Sequence, residues 1–555
     1  MIPKKWFTFI AIIVIVLYAH TLHFPHLLYW DNANYSYTHH PIIQQLNINH
    51  LISYFTQSFD NHYHPLTLIS LSVDYSLGHG KPIYFRLTNL ILYIGIVLFL
   101  FVFILKLLKN LKATLFVTLF YAIHPFNVES IVWISERKNL LFMFFLLPSL
   151  IYYIRYIEEP KRKYIGISCF FFILSLLSKS QGLPLVGLLF IVDYIKQRSF
   201  NKYLFFEKIP YLVIGTIFLF FMFYFHVPEN FVRTHPHQFS DYFFSGFRNI
   251  FFYIYKTFIP FNFSPFYPYP QNPTASYWYF PLLFILILFL LLKYFKTNRL
   301  FIAGIAFYII SIFPLLKFFS IPYGNYIAAD RHMILPLIGL SVVAWSIIEQ
   351  KANRPFLKYT YFAFLLILFI STYYYSSQWQ NSKHFYSYLI KQYPQVISGW
   401  GNRGRLFLKE HKYKLAIQDF KQALKLKSDN SNLNINLGLA YVHLNQFDSA
   451  YYYFSEAIRC DSSNFKAYSN RALTLIKLNK PNEALIDITS CVILQPNFAE
   501  GWFNKALIEF RLHYYQQAIE SLKQSRNLKM DERKIVLLEE QITSEMKKLN
   551  HSSFY

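Results

Sequence analysis

Charged and polar side chains beside long apolar runs carry the most chemical information in this chain of 555 residues. A charge at membrane depth is costly, so its position means something. Asp31 and Asn32 open one such loop, and the same loop supplies His62, His64, Asp74 and Arg86. A second loop gives His124, Glu129, Arg137 and Lys138, a third Lys179, and a late one Asp330, Arg331 and His332. A carboxylate beside several cations suits transfer from an anionic lipid phosphate. The carboxylate takes the acceptor's proton while the cations hold the leaving phosphate. Asp31 is the acid singled out for that role. Taken singly, each cation has a plainer reading, because Lys and Arg near helix ends often reach for headgroups, and His124 before Pro125 suits a helix cap. The clustering argues more strongly than any one residue.

Other chemistries find little support. Gly399-Trp400-Gly401-Asn402-Arg403-Gly404 spells a dinucleotide fingerprint, but no βαβ unit surrounds it. There is no Walker loop. The first loop's histidines at 39, 40, 50, 62 and 64 have no Cys partners and no helical HExxH motif, so metal binding there has little support. Cys169, Cys460 and Cys491 form no disulfide framework.

The elements that must hold these residues follow from composition. Aromatics make up 21% and charged residues only 15%, against roughly 25% in soluble proteins. The +24 charge lies in short clusters between apolar runs, the positive-inside pattern of a polytopic membrane protein. Spans are expected at Phe7–Phe24, Leu87–Leu108, Lys112–His124, Leu140–Tyr156, Tyr164–Leu177, Leu183–Ile195, Ile209–His226, Trp278–Lys293, Leu300–Leu316, Met333–Ile348 and Lys358–Tyr375. Every second connection is then basic, which gives about eleven spans, a cytoplasmic N-terminus and an outer C-terminus. Phe243–Phe263 is apolar but contains Arg248 and Lys256, so it reads as a helix lying on the outer surface.

Beyond Tyr375 a period of 34 residues sets in. Gly404, Gly438, Ala472 and Ala506 recur in one phase, and Ala416, Ala450, Ala484 and Ala518 in another. Aromatic or aliphatic residues (Phe420, Phe454, Ile488, Leu522) follow the second set by four. Small residues where two helices cross, with large ones between them, make the tetratricopeptide pattern, here in four copies. Asn402, Asn436, Asn470 and Asn504 keep the same period on the first helix of each repeat. Such a ladder of amides suits the backbone of an extended acceptor peptide, although Asn is also common there without a ligand.

The order of motifs resembles one family. An acid follows the first span, then come Tyr63-His64-Pro65-Leu66-Thr67, Val73-Asp74-Tyr75 and Leu87-Thr88-Asn89. His124-Pro125 with Glu129, Trp133-Ile134-Ser135 and Arg137 follows, then Leu177-Ser178-Lys179, Asp330-Arg331-His332 with Leu335-Pro336 and Gly339, and the repeats. This resembles the transmembrane and tetratricopeptide-repeat-containing O-mannosyltransferases, of the C-type glycosyltransferase fold. The resemblance implies an inverting transferase that takes a sugar from a polyprenyl-phosphate donor on the non-cytoplasmic face and passes it to Ser or Thr of a protein held by the repeats. Asp31 would be the base, and His124, Glu129, Arg137, Lys179 and Arg331 would line the cavity. His64 stands where an Arg is usual, Asn32 and Asn139 replace acids, Ser180 replaces a Glu, and Asp330 and His332 replace a Glu and a Tyr.

The expectation is therefore an all-α, GT-C-like membrane domain over 1–380, a linker over 381–396, four repeats over 397–532, and a capping helix and tail over 533–555. Asp31 is expected to be catalytic. His64, Arg86, His124, Glu129, Arg137, Lys179 and Arg331 are expected at the donor phosphate. The lipid-linked sugar acts as co-substrate, with no resident cofactor, the need for a divalent metal left open, and no nucleic-acid partner. Two alternatives are a lipid or cell-wall glycan as acceptor, and a non-catalytic membrane scaffold. A Lys-, Asn-, Ile- and Phe-rich composition suits a bacterial inner membrane with the tail in the periplasm, or an endoplasmic-reticulum membrane.

Overall fold

The computed structural model describes residues 4–30, 41–59, 63–225, 238–270, 272–318, 326–350 and 356–552. Its chain divides into two units, Met1–Phe385 and Tyr386–Tyr555. The first unit is helical apart from a short antiparallel ribbon, in which Tyr267 pairs with Ala328 and Pro268 with Tyr326. Each of the eleven segments expected to span is mostly helical where described, with ends such as Phe24, His124 and Leu316 outside the helices. Six helices are long and apolar enough to cross a membrane unaided: Lys5–His23, Pro82–Leu108, Ile134–Glu158, Lys202–Phe225, Pro273–Phe295 and Tyr359–Ser377. Leu111–Ala122 and Pro125–Val132 form a bent pair that counts as a seventh, and Ser180–Ile195, Arg299–Leu315 and Pro336–Gln350 are shorter apolar helices.

The 52° bend between Leu111–Ala122 and Pro125–Val132 has an identifiable cause. Pro125 has no N–H to give the helix, and carbonyls ahead of it lose their partners. Asn127 donates to the Tyr121 carbonyl at 2.7 Å, and the Tyr93 hydroxyl donates to that of Ala122 at 2.9 Å. The bend turns the following helix, which carries Glu129, back into the protein. A second close fit sets the late loop. A Cβ on Gly304 would lie 2.7 Å from the Gly339 carbonyl oxygen, and one on Gly339 2.5 Å from that of Gly304. The backbones of Arg299–Ile312 and Pro336–Gln350 thus touch at two glycines, as small residues permit in membrane bundles.

Phe239–Phe258 is amphipathic. Its buried residues Tyr242, Ser245, Asn249, Tyr253 and Lys256 recur every three or four positions. That strip is polar and bonds to the chain ahead of Arg331. Asn249 donates to the Ile327 carbonyl at 2.8 Å, and the Tyr253 hydroxyl both donates to the Ala329 carbonyl (3.2 Å) and accepts from the Ala329 N–H (3.1 Å).

In the second unit the helices pair as Ile397–Lys409 with Tyr413–Leu426, Ser431–His443 with Phe447–Cys460, Phe465–Lys477 with Pro481–Leu494, and Ala499–Arg511 with Tyr515–Asn527. Glu532–Ser552 packs on the last pair. The stretch read as a linker contains the helix Ser382–Gln392. Within each repeat the turn is made by a left-handed residue, at His411, Asn445, Asn479 and His513. The small–large pairing is direct: a Cβ on Gly404 would meet the Phe420 ring at 2.7 Å, and one on Gly438 the Phe454 ring at 2.6 Å. Where the partner is Ile488 or Leu522, the small residue is Ala472 or Ala506. The first helices of successive repeats pack on one another more closely than the second helices do, so the first helices form the inner layer of the curve.

Candidate active site

Two short segments bring charge together in the first unit. The chain leaves the helix Val128–Val132, turns through Ile134–Glu136 and starts the long helix Arg137–Glu158. This places Glu129 in the core and Glu136 and Lys138 at a helix entrance. The turn Asp330–Ile334, which leads into Pro336–Gln350, supplies Arg331. Glu129 is fully buried and holds Arg331 at two points, accepting from its Nη1 at 3.2 Å and its backbone N–H at 3.3 Å. The Tyr375 hydroxyl donates to the other oxygen of Glu129 at 3.2 Å.

Glu136 is the second anchor. Its Oε1 lies 3.4 Å from both Lys138 Nζ and Arg331 Nε, and its Oε2 lies 3.6 Å from Lys179 Nζ. Asn139 donates to Glu136 at 2.8 Å and accepts from Lys179. These groups border a cavity of about 210 Å³ also lined by Tyr63, His64, Lys317, Tyr326 and His332. Among the described lining residues there are four cations, Lys138, Lys179, Lys317 and Arg331, and one carboxylate, Glu136. The Tyr326 ring lies under two of them, 4.7 Å from Lys317 Nζ and 5.1 Å from the Arg331 guanidinium.

The fields are unequal. Burial pulls Lys179 down to about 7, with Glu136 opposing the shift and Lys138 and Arg331 adding to it. Burial and the neighbouring Arg331 bring Lys317 to about 8. For Arg331 burial disfavours the charge, but Tyr326, Glu136 and Glu129 outweigh it and push its pKa up. Burial holds His332 well below the usual histidine range, helped by Arg331, Lys179 and Lys317. Asp330 faces the other way: burial raises it, and its oxygens accept from the Tyr267 hydroxyl (2.8 Å) and the Ser264 N–H (3.3 Å).

Of the residues named from sequence, the structure gathers His64, Lys179 and Arg331 around the cavity, with Glu129 behind Arg331. Arg86, His124 and Arg137 are spent elsewhere. Arg86 donates to the carbonyls of Phe24 (2.9 Å), Pro25 (2.9 Å) and Val132 (2.6 Å). Arg137 pairs with Asp74 at 2.6 Å and bonds Ser70, Asn89 and the Phe85 carbonyl. His124 bonds the Thr257 carbonyl at 3.1 Å and the Phe126 N–H at 3.2 Å, and stacks on the Phe126 ring. Asp31 lies outside the described residues. Glu136 and Lys317 had not been singled out, and the signal for both was a charge abutting a span end. Among the described residues no three His, Cys, Asp or Glu side chains converge as a metal would require. In the second unit Asn402, Asn436 and Asn470 are half-buried on the first helices, while Asn504 is buried and donates to Ser469 at 3.1 Å.

Comparison with known proteins bears on both units. The tetratricopeptide repeat model matches residues 397–430. The human protein O-mannosyl-transferase TMTC3 is 26% identical over 143 residues, 25% of this chain and 15% of that protein. The protein O-mannosyl-transferase F38B6.6 of Caenorhabditis elegans is 24% identical over 389 residues, 66% of this chain and 54% of that protein. The chain is similar to protein O-mannosyl-transferases. A third relative, human TMTC4, is 29% identical over 25% of this chain and 22% of its own length. The matched stretches thus span from 15% to 54% of these relatives. The solved tetratricopeptide protein YrrB shares 19% identity over 29% of this chain and 82% of its own, with a TM-score of 0.26.

Proposed function

We propose that this chain is a polytopic membrane glycosyltransferase of the C-type fold, in the transmembrane and tetratricopeptide-repeat-containing O-mannosyltransferase family. It moves mannose from a polyprenyl-phosphate donor to Ser or Thr hydroxyls of proteins on the non-cytoplasmic face, and the repeat array holds the acceptor. One observation carries the reading: an anchored Arg331 at the edge of a cavity that also presents Lys138, Lys179 and Lys317. The names of the relatives supply the sugar and the protein acceptor.

In this mechanism the acceptor oxygen forms a bond to the sugar's anomeric carbon as the bond from that carbon to the phosphate oxygen breaks. Attack from the opposite face inverts the centre. The hydroxyl proton passes to the Asp31 carboxylate, and the bonding pair leaves with the phosphate, which gains a negative charge. Arg331, Lys179 and Lys317 meet that charge as it develops, where fixed cations count most. Glu129 and Glu136 keep Arg331 aimed. Chain connectivity supports the part given to Asp31: the preceding Trp30 packs on Trp133, whose ring lies 5.2 Å from the Arg331 guanidinium.

The test is Lys179→Met combined with Lys317→Met in reconstituted protein. Transfer from the lipid-phosphate donor should fall on the order of a hundredfold or more, the loss of two charge-assisted contacts. Undiminished transfer would remove the phosphate role from this cavity.

A further inference from the structure

The inner layer of the repeat array carries a second ladder besides the asparagines. The first helix of every repeat ends on a basic residue: Lys409, His443, Lys477 and Arg511. Each lies seven positions after an Asn of the other ladder, so the two share a helix face, about 10 Å apart along the axis. All four basic residues are exposed, and among the described residues no ion pair engages any of them. Basic residues in a last turn also complement the helix dipole, and that accounts for their sign. It does not account for their phase. The second helices feel the same dipole but do not keep it: the third has no basic residue in its last turn.

We propose that the inner face binds an extended acidic peptide, its backbone along the asparagine row and its Asp or Glu side chains against the basic row. Adjacent helices pack about 10 Å apart, and a chain in the polyproline II conformation advances about 3.1 Å per residue with three residues per turn, so every third side chain points the same way. Lys409, Lys477 and Arg511 therefore each meet an acid, and the repeat that carries His443, whose ring stacks on Tyr413 at 4.7 Å, offers an imidazole at the same three-residue spacing. This deepens the proposed function, on which it rests for the role of the array, by giving the acceptor a chemistry: Ser/Thr-bearing segments with acids at a three-residue spacing.

Full-length protein in detergent would be titrated with a fluorescent Ser/Thr-rich peptide carrying Asp at every third position, and with the same peptide carrying Asn there. The Asp peptide should bind at least about tenfold more tightly, by the sum of several exposed ion pairs, and the advantage should shrink in high salt. Replacing Lys409, Lys477 and Arg511 together by Gln should abolish the preference and leave the Asn peptide's affinity unchanged, while the lost helix-dipole contacts lower the melting temperature only modestly. Equal binding of the two peptides by the wild type, or an unchanged preference in the triple variant, would overturn the proposal. Sugar transfer to the same peptides is scored separately. Preferential binding without transfer would sink the transferase reading and keep this one. Transfer to both peptides with equal binding would do the reverse.

Discussion

Lys179 is caught between burial, which disfavours its charge, and Glu136, which favours it. With burial bringing it to about 7, it is a cation below that pH and neutral above it. The donor's KM should therefore rise as the pH passes 7, and again near 8 as Lys317 follows. Lys179→Arg keeps its charge at all these pH values and should move the first rise away; a pH–KM profile of both proteins checks this. Arg86 and Arg137 belong to a different class. Arg137→Met leaves Asp74 buried and unpaired, a loss of about 3–5 kcal/mol, and Arg86→Met strands three carbonyls. Both variants should melt far lower in detergent, while Lys179→Met melts nearly as wild type. The depth of these charges was readable, because each stands next to an apolar run. Their partners were not: the bonds of Arg86, His124 and Arg137 within the fold and the place of Glu136 at the cavity come from segments distant in sequence.

Periodicity made the repeats far more readable. Alternating small and large residues state a packing rule, and the structure shows the rule's arithmetic, Gly opposite Phe and Ala opposite Ile or Leu. Gly438→Ala should drive a methyl into the Phe454 ring and destabilise the array by about 1–3 kcal/mol. Adding Phe454→Leu, which copies the Ala506–Leu522 pair, should recover most of that loss. A double-mutant cycle on the melting of the array measures the coupling; strictly additive effects would show that the pair does not set the crossing. In the membrane half, spacing marked where helices lie but not the bend at Pro125 or the contact of Gly304 with Gly339. Both join segments through tertiary structure, which local pattern does not encode. The ribbon of Tyr267–Pro268 with Tyr326–Ala328 is too short for any alternation to announce it.

At the scale of the molecule, one chain carries a cationic cavity in its first unit and a tetratricopeptide array in its second. A membrane transferase with a protein substrate needs both, since the donor is dissolved in lipid and the acceptor is a chain in water. The proposed reaction is sugar transfer from lipid phosphate to protein, with Asp31 as base. It is tested by incubating the purified protein in liposomes with polyprenyl-phosphate mannose labelled in the sugar and a Ser/Thr-bearing protein acceptor, beside Asp31→Asn. Label should enter protein with the wild type and fall at least about a hundredfold with Asp31→Asn. Label that enters only lipid or glycan, or enters protein equally with both forms, would contradict it.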